Sequence, residues 1–144
     1  MSMILLGIVS CGKSQQSNMI RNPNPKLLIG TASRAELSFY QGEGNGQFTT
    51  DFQDLGVAME PKSKGYKVSL QPIGDLTKGI AIIAEAKNRK ATSYVGIVSA
   101  EHFQVSNDPN QAMKLCRAVG KVEVAKIALN SQEALTCPSN SQEL

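Results

Sequence analysis

The sequence predicts an α+β fold in which one N-terminal helix packs on an antiparallel sheet of about four strands. Two observations support this fold: a segment with helical apolar spacing opens the globular part, 27–144, and strand-like segments separated by turns follow it. The chain has 144 residues, 41% of them hydrophobic, which fits a single compact domain with one core. Because aromatic residues make up only 5% and Trp is absent, we expect aliphatic side chains to dominate that core.

The predicted helix begins at Leu27 and is stopped by Gly42. Its apolar side chains are spaced by four, three and four residues, which places them on one face of the helix. They are Leu28, Ala32, Ala35 and Phe39. Pro25 and Gly42 suit the two helix boundaries. Arg34 and Glu36 are expected to be solvated or to pair locally.

A glycine-rich turn, 42–46, follows the predicted helix. It does not follow a strand, and no Gly-Lys-Ser/Thr comes after it, so neither a dinucleotide fingerprint nor a phosphate loop is indicated. We interpret it as a mobile connection. Beyond it, Thr50 or Asp51 is expected to cap a single helical turn that ends at Gly56. The side chains expected to attach this loop to the core are Phe48, Phe52 and Leu55.

Four later segments are strand candidates. The first alternates strictly between apolar and polar residues, and the second is apolar enough to be a central strand. The four segments are 66–71, 79–86, 94–100 and 113–118. A turn-rich break, 72–78, separates the first two, and a charged hairpin loop, 87–92, separates the second from the third. For 123–135 the sequence permits either a second helix or an irregular segment and favours neither.

The beginning of the chain is typical of a bacterial lipoprotein. An apolar run, 3–9, is too short to span a bilayer, which takes roughly 20 residues, but it reaches the lower limit of a signal-peptide core. It leads into I-V-S-C-G, which resembles a lipobox. We therefore expect 1–10 to be a lipoprotein signal peptide, cleaved after Ser10, and Cys11 to carry the lipid. The absence of Lys and Arg before the apolar run departs from the usual signal pattern.

Residues 11–26 are rich in Ser, Gln, Asn and Pro, which predicts a flexible tether between the lipid and the domain. As a flexible coil it would span about 20 Å. The alternative interpretation of 3–9 is a buried strand of the fold. The tether disfavours that alternative, because it would separate such a strand from its domain.

Charge and residue content argue against several function classes. The net charge is +3, and acids and bases alternate along the chain, so we expect neither a strong single-sign face nor a nucleic-acid partner. His102 is the only histidine, and zinc requires about four N or S ligands, which it and the cysteines do not supply at a recognised spacing. Asp51 and Asp54 are more readily interpreted as residues that cap a helical turn than as calcium ligands. No catalytic residue, metal, cofactor or small-molecule substrate is predicted.

The order of helix, extended loop, antiparallel strands and C-terminal cysteine pair resembles the globular domains of type IV pilins. In detail it is closer to the type IV pilin-like G and H family. The matching pieces are S-R-A-E-L-S-F-Y at 33–40, Phe48, D-L-G at 54–56, the strand at 66–70, S-Y-V-G at 93–96, L-C at 115–116 and C-P-S at 137–139. The resemblance extends over about 29–139. It differs from the family pattern in a slightly longer turn after Tyr40.

This resemblance implies a structural or interaction module of the cell envelope, associated with type IV pilus or secretion machinery. True pilins begin with a long apolar helix that carries a Glu and packs the filament core. The sequence has no such segment, which favours a lipid-anchored relative that faces the periplasm or the cell exterior. Its expected partners are the membrane, through the lipid, and other envelope or pilus proteins. The alternative hypothesis is an envelope lipoprotein that binds a small ligand or peptide on its sheet.

The three cysteines are consistent with a location in the cell envelope. If Cys11 carries the lipid, Cys116 and Cys137 remain, and in an oxidising compartment two thiols within reach pair. We therefore predict a Cys116–Cys137 disulfide that holds down a mostly polar C-terminal tail. It would resemble the C-terminal disulfide region of pilins, whose enclosed loop contacts partners. The alternative is a pair of buried free thiols in a cytosolic protein.

Overall fold

The computed structural model describes residues 24–56, 62–63, 65–130 and 132–144. Within these ranges, helix α1 (Pro25–Gln41) packs on an antiparallel sheet whose six strands neighbour each other in chain order. The strands are β1 (Lys62–Ser63), β2 (Tyr66–Pro72), β3 (Gly79–Ala86), β4 (Thr92–Ser99), β5 (Met113–Val119) and β6 (Ser141–Glu143). Two short helices, α2 (Ala100–Ser106) and α3 (Pro109–Ala112), join β4 to β5. The predicted arrangement of one N-terminal helix on an antiparallel sheet is confirmed, and the four predicted strands correspond to β2 to β5.

The start of α1 depends on its cap. The Asn24 side chain accepts a hydrogen bond from the Lys26 N–H at 2.9 Å, and Pro25 occupies the first turn. The helix therefore begins two residues before its predicted start. The predicted signal peptide, 1–10, and residues 11–23 of the predicted tether lie outside the described residues. None of the helices in the described part of the chain combines the length and apolarity needed to cross a membrane.

The buried face of α1 is rotated from the predicted one. The fully buried side chains are Ile29, Ala32, Ser33 and Glu36, whereas Ala35 and Phe39 are only partly buried. The rotation follows from a close approach between α1 and β4. At Gly96 of β4, an added Cβ would overlap Ser33 Oγ and would come within 3.3 Å of the Ile29 carbonyl oxygen. Glycine at position 96 thus allows the helix to lie directly on the sheet.

The central part of the sheet is buried on both faces. The first face, which α1 covers, takes alternate residues of β2 to β5, including Val68, Leu70, Ile80, Ile82 and Val98. The second face takes the intervening residues, including Ala81, Ile83, Val95, Ile97 and Cys116. Because β3 and β4 are covered on both sides, they are nearly continuous apolar runs, as expected for central strands.

The connection from α1 to the sheet is held by hydrogen bonds, although we expected its glycine-rich part to be mobile. The Gly44 N–H donates to the Phe39 carbonyl at 2.7 Å, and the Gly46 N–H donates to the Tyr40 carbonyl at 2.9 Å. Farther on, a 3₁₀ turn (Phe52–Leu55) forms where a single helical turn was predicted. Asp51 caps it by accepting from the Gln53 N–H, and Gly56 ends it in the left-handed region.

In two other regions the structure goes beyond the sequence prediction. The predicted third strand ends at Ser99, because Ser99 caps α2 by accepting a hydrogen bond from the His102 N–H. In the region 123–135, which we left open, the described residues form one 3₁₀ turn (Val124–Lys126) and otherwise irregular structure. The apolar side chains of that segment, including Ile127 and Leu135, pack against the second face of the sheet.

Candidate interaction surface

The second sheet face is covered by the described residues of 120–137, which are 120–130 and 132–137 and which we call the cover segment. It leaves β5 through Gly120, whose φ of +79° lies in the left-handed region. The Gly120 N–H donates to the Ala91 carbonyl at 3.3 Å, and its own carbonyl accepts from Ser93 Oγ at 2.6 Å. The buried Ser93 hydroxyl also accepts from the Ala86 N–H at 2.9 Å. These bonds fix the direction in which the segment leaves the sheet.

The cover segment packs its apolar side chains inward. Ile127 and Leu135 are buried, and the partly buried members are Val122, Val124, Leu129 and Cys137. They lie against the apolar residues of the second face. The approach is close at Gly79, where an added Cβ would come within 2.6 Å of Leu129 Cδ1 and 2.9 Å of the Val98 carbonyl oxygen. The segment is therefore a packed layer of the fold.

His102 ties α2 to the cover segment. Its Nε2 lies 2.8 Å from the Glu133 carbonyl oxygen, and its Nδ1 lies 2.6 Å from Ser99 Oγ. Since a carbonyl oxygen only accepts, Nε2 is the donor in the first contact. The histidine is a buried packing residue, 6% exposed. Both ring nitrogens are engaged in structural contacts, which leaves neither positioned to move a substrate proton.

A disulfide closes the cover segment. Cys116 lies in β5 with no exposed surface, and its sulfur is bonded to Cys137, 21 residues later, at 2.02 Å. The predicted Cys116–Cys137 pairing is confirmed. Beyond it the chain returns to the sheet as β6, where Glu143 pairs with Cys116 in register and its carboxylate lies 3.1 Å from Lys114 Nζ. The polar C-terminal tail is thus held by a covalent bond and a short edge strand.

The outer side of the cover segment is solvent-exposed and carries short or polar side chains. The exposed positions include Ala125, Ala128, Gln132, Glu133, Ala134 and Thr136. Next to it, a groove of about 370 Å³ runs between the cover segment and helices α2 and α3. Val105 of α2 lies in the lining of this groove and is 71% exposed. A displayed, rigidly backed segment of this kind is suited to contact another protein.

A second feature, away from the cover segment, is a buried carboxylate on α1. Glu36 was expected to be solvated or locally paired, and that expectation is wrong, because the residue is 0% exposed. Its Oε1 accepts from the Thr49 N–H at 2.9 Å, and its Oε2 has no hydrogen-bond partner among the described residues. The Thr49 hydroxyl in turn donates to Asp54 Oδ2 at 2.7 Å. Glu36 therefore fastens the loop after α1 to the buried face of the helix.

Burial raises the pKa of Glu36 to about 7, since the charged form loses its water. The hydrogen bond from Thr49 lowers the pKa, and the nearby charge of Asp54 raises it further. The sequence contained a signal for this burial that we did not use. Position 36 follows Ala32 by four residues and precedes Tyr40 by four, so it continues a stripe of buried positions.

The other candidate sites stay apart. Within the ranges that the structure describes, no three His, Cys, Asp or Glu side chains come together as a metal site would require. Asp51 caps the 3₁₀ turn, and Asp54 accepts from Thr49, so both carboxylates serve the local backbone fold. Arg34 is exposed on the outer side of α1. Cys11, the predicted lipidation site, lies outside the described residues.

One helix on an antiparallel sheet, with a disulfide-closed segment near the C-terminus, defines a pilin-like globular domain. The family model for type IV pilin-like G and H matches residues 23–138, which run from the start of α1 past the disulfide. The chain therefore belongs to the type IV pilin-like G and H family, and the resemblance found in the sequence is confirmed. No significant similarity was found to a curated protein or to a solved structure.

The Glu36 carboxyl should make stability fall as the pH rises. The folded protein keeps the proton up to about pH 7, whereas the unfolded chain, with the ordinary pKa of 4.5, releases it earlier. The contribution of Glu36 is thus fully present below pH 4.5 and is lost by about pH 7. We expect the loss to be at most about 3.5 kcal/mol, because one unit of pKa corresponds to about 1.4 kcal/mol. Urea unfolding at several pH values measures it.

Glu36→Gln should remove this dependence, because an amide does not titrate in the range. Subtracting the two pH profiles also cancels the contributions of the titratable groups that both proteins retain. Glu43→Gln is the matched control, since Glu43 is exposed in the turn after α1, and its profile should follow the wild type. A Glu36→Gln profile that is parallel to the wild-type profile would contradict the assignment.

Proposed function

We propose that this protein is a non-catalytic, lipid-anchored module of the cell envelope that contacts other envelope or pilus proteins through its cover segment. The observation that carries the proposal is the disulfide-closed segment lying on a sheet face, with its outer side exposed. Membership of a type IV pilin-like family supports a structural role at the cell surface. The packing beneath the segment presents its outer side in one conformation, which lowers the ordering cost of binding a partner.

The lipid anchor is supported by the lipobox-like sequence that ends at Cys11. It is also compatible with the fold. The chain enters the domain at Asn24, next to the exposed Lys26, so the segment that precedes α1 attaches at the surface. A disulfide in the domain agrees with export, because cytosolic thiols are kept reduced.

The alternative, a small ligand or peptide bound on the sheet, has less support. Helix α1 and the cover segment occupy the apolar part of both sheet faces. The strip of the second face on β2 carries the polar residues Lys67, Ser69 and Gln71. A ligand would have to displace a packed layer or bind this polar strip.

Lipidation of Cys11 should be visible in the mass of the protein's N-terminus. Membrane-extracted protein should begin at Cys11 and carry a diacylglyceryl group on its sulfur, because the preceding residues resemble a lipobox. Cys11→Ser is the control, since it should abolish the modification and release the protein from the membrane fraction. An N-terminus at Met1 on mature protein from cells would contradict the anchor.

Contact through the cover segment should be detectable by photo-crosslinking in cells. A photoreactive residue at Ala128 or Thr136 should give an adduct with another envelope or pilus protein, because both positions are exposed on the outer side of the segment. Ser38, exposed on α1, is the matched control position and should give no such adduct. Adducts of equal yield from Ser38, or none from the cover segment, would contradict the proposed surface.

A further inference from the structure

The fold sorts the charges of the chain to opposite ends of the sheet. One end, which we call the hairpin end, contains the β3–β4 loop 87–91, the start of β2 and the exit from β5. Backbone hydrogen bonds join these parts: the Lys87 N–H donates to the Gly65 carbonyl at 2.9 Å, and the Gly120 N–H donates to the Ala91 carbonyl at 3.3 Å. The three connections therefore form one continuous surface.

That surface is basic. A shallow groove of about 550 Å³ at the hairpin end is lined by the exposed side chains of Lys67, Lys87, Arg89 and Lys121, with Glu85 also in the lining. Lys26 belongs to the same end, because its Nζ lies 5.9 Å from the centre of the Tyr94 ring near the start of β4. The alternation of acids and bases along the sequence had predicted no single-sign face, and this expectation is wrong. Residues that are distant in the chain converge there.

The opposite end is acidic. It contains the end of α1, the 3₁₀ turn, the β2–β3 turn and helices α2 and α3, joined by contacts such as the Gln104 side-chain amide donating to the Tyr40 hydroxyl at 2.7 Å. Its carboxylates are Glu43, Asp51, Asp54, Asp75, Glu101 and Asp108. Lys78 is a base at this end. A chain of net charge +3 is thus strongly polarised along its strands.

The polypeptide enters the domain at the basic end. Helix α1 begins there at Pro25 and runs toward the acidic end, so the residues before Asn24 attach at the same end of the sheet as the groove. An anchor on that N-terminal segment keeps the hairpin end within reach of the membrane, because a flexible tether of this length spans only about 20 Å. Phospholipid surfaces that carry anionic headgroups attract exposed Lys and Arg within a Debye length.

We propose that the hairpin end, around Lys87, Arg89 and Lys121, docks on anionic lipid headgroups of the membrane that anchors the protein. The inference rests on the proposed lipid anchor, which keeps this end of the domain near the membrane. Docking supplies the second contact that stable membrane attachment uses in addition to acyl chains. Docking at this end orients the strands away from the plane of the bilayer. The cover segment then faces sideways, where a neighbouring envelope protein can reach it.

The test uses the full chain carrying Cys11→Ser, so that no lipid contributes. Co-sedimentation should show binding to vesicles of equal parts phosphatidylcholine and phosphatidylglycerol, and much weaker binding to pure phosphatidylcholine. Lys87→Gln with Arg89→Gln should weaken the binding by about 25-fold, because each basic residue near an anionic surface contributes roughly fivefold. The affinity should also fall as salt is added.

Lys78→Gln with Lys114→Gln is the matched control: it removes the same charge toward the acidic end and should change the affinity little. Equal losses from the two pairs, or no preference for the anionic vesicles, would overturn the proposal. The proposal would also be overturned if the protein bound no vesicles but associated with itself in a salt-sensitive way that Lys87→Gln with Arg89→Gln abolished. In that case the basic end would contact a second copy of the protein. An unlipidated Cys11 in cells would refute the anchor and leave this vesicle result unchanged.

Discussion

The two central strands are apolar on both faces, and the rest of the fold follows from covering them. Strands β3 and β4 bury nearly every side chain, so each sheet face requires its own apolar layer. Helix α1 provides the first layer, with Gly96 allowing its backbone to approach β4 closely. The second layer comes from the cover segment, which packs apolar side chains inward but has only one 3₁₀ turn of regular structure among its described residues. Its backbone therefore has little hydrogen bonding of its own to hold it in place, which is why its covalent attachment matters.

This division explains where the fold can carry function. The α1 layer is a regular helix whose inner face is fully committed to the core. The cover segment is irregular, and only its inward side chains, such as Ile127 and Leu135, are needed for packing. Its outer positions can therefore vary without loss of stability, and an interaction surface can develop there. Glu36 shows the opposite case: a carboxylate inside the first layer opposes folding at neutral pH while it fixes the loop at Thr49.

Local sequence pattern was sufficient to predict the regular elements. Helix α1 and strands β2 to β5 follow from periodicity and turn residues, and the disulfide follows from the argument that an exported chain pairs its remaining thiols. What the sequence could not provide depends on contacts between distant residues. The spacing from Ala32 through Glu36 to Tyr40 marks one helix face, but the rotation of α1 that turns this face toward the sheet depends on the close approach at Gly96. The basic hairpin end arises because antiparallel pairing brings Lys67, Lys87 and Lys121 to the same end of the sheet. Strands β1 and β6 have two and three residues, too few for a periodic signal.

The most direct measurement is hydrogen exchange on the full chain with the Cys116–Cys137 disulfide intact and after its reduction. If the disulfide holds the second layer in place, reduction should accelerate exchange in 120–137 and in β6. The amides of α1, β3 and β4 should remain protected, because the sheet hydrogen bonds and the first layer persist. If reduction left the exchange protection of the cover segment unchanged, or lowered protection equally throughout the sheet, the claim that the disulfide holds this surface in place would be contradicted.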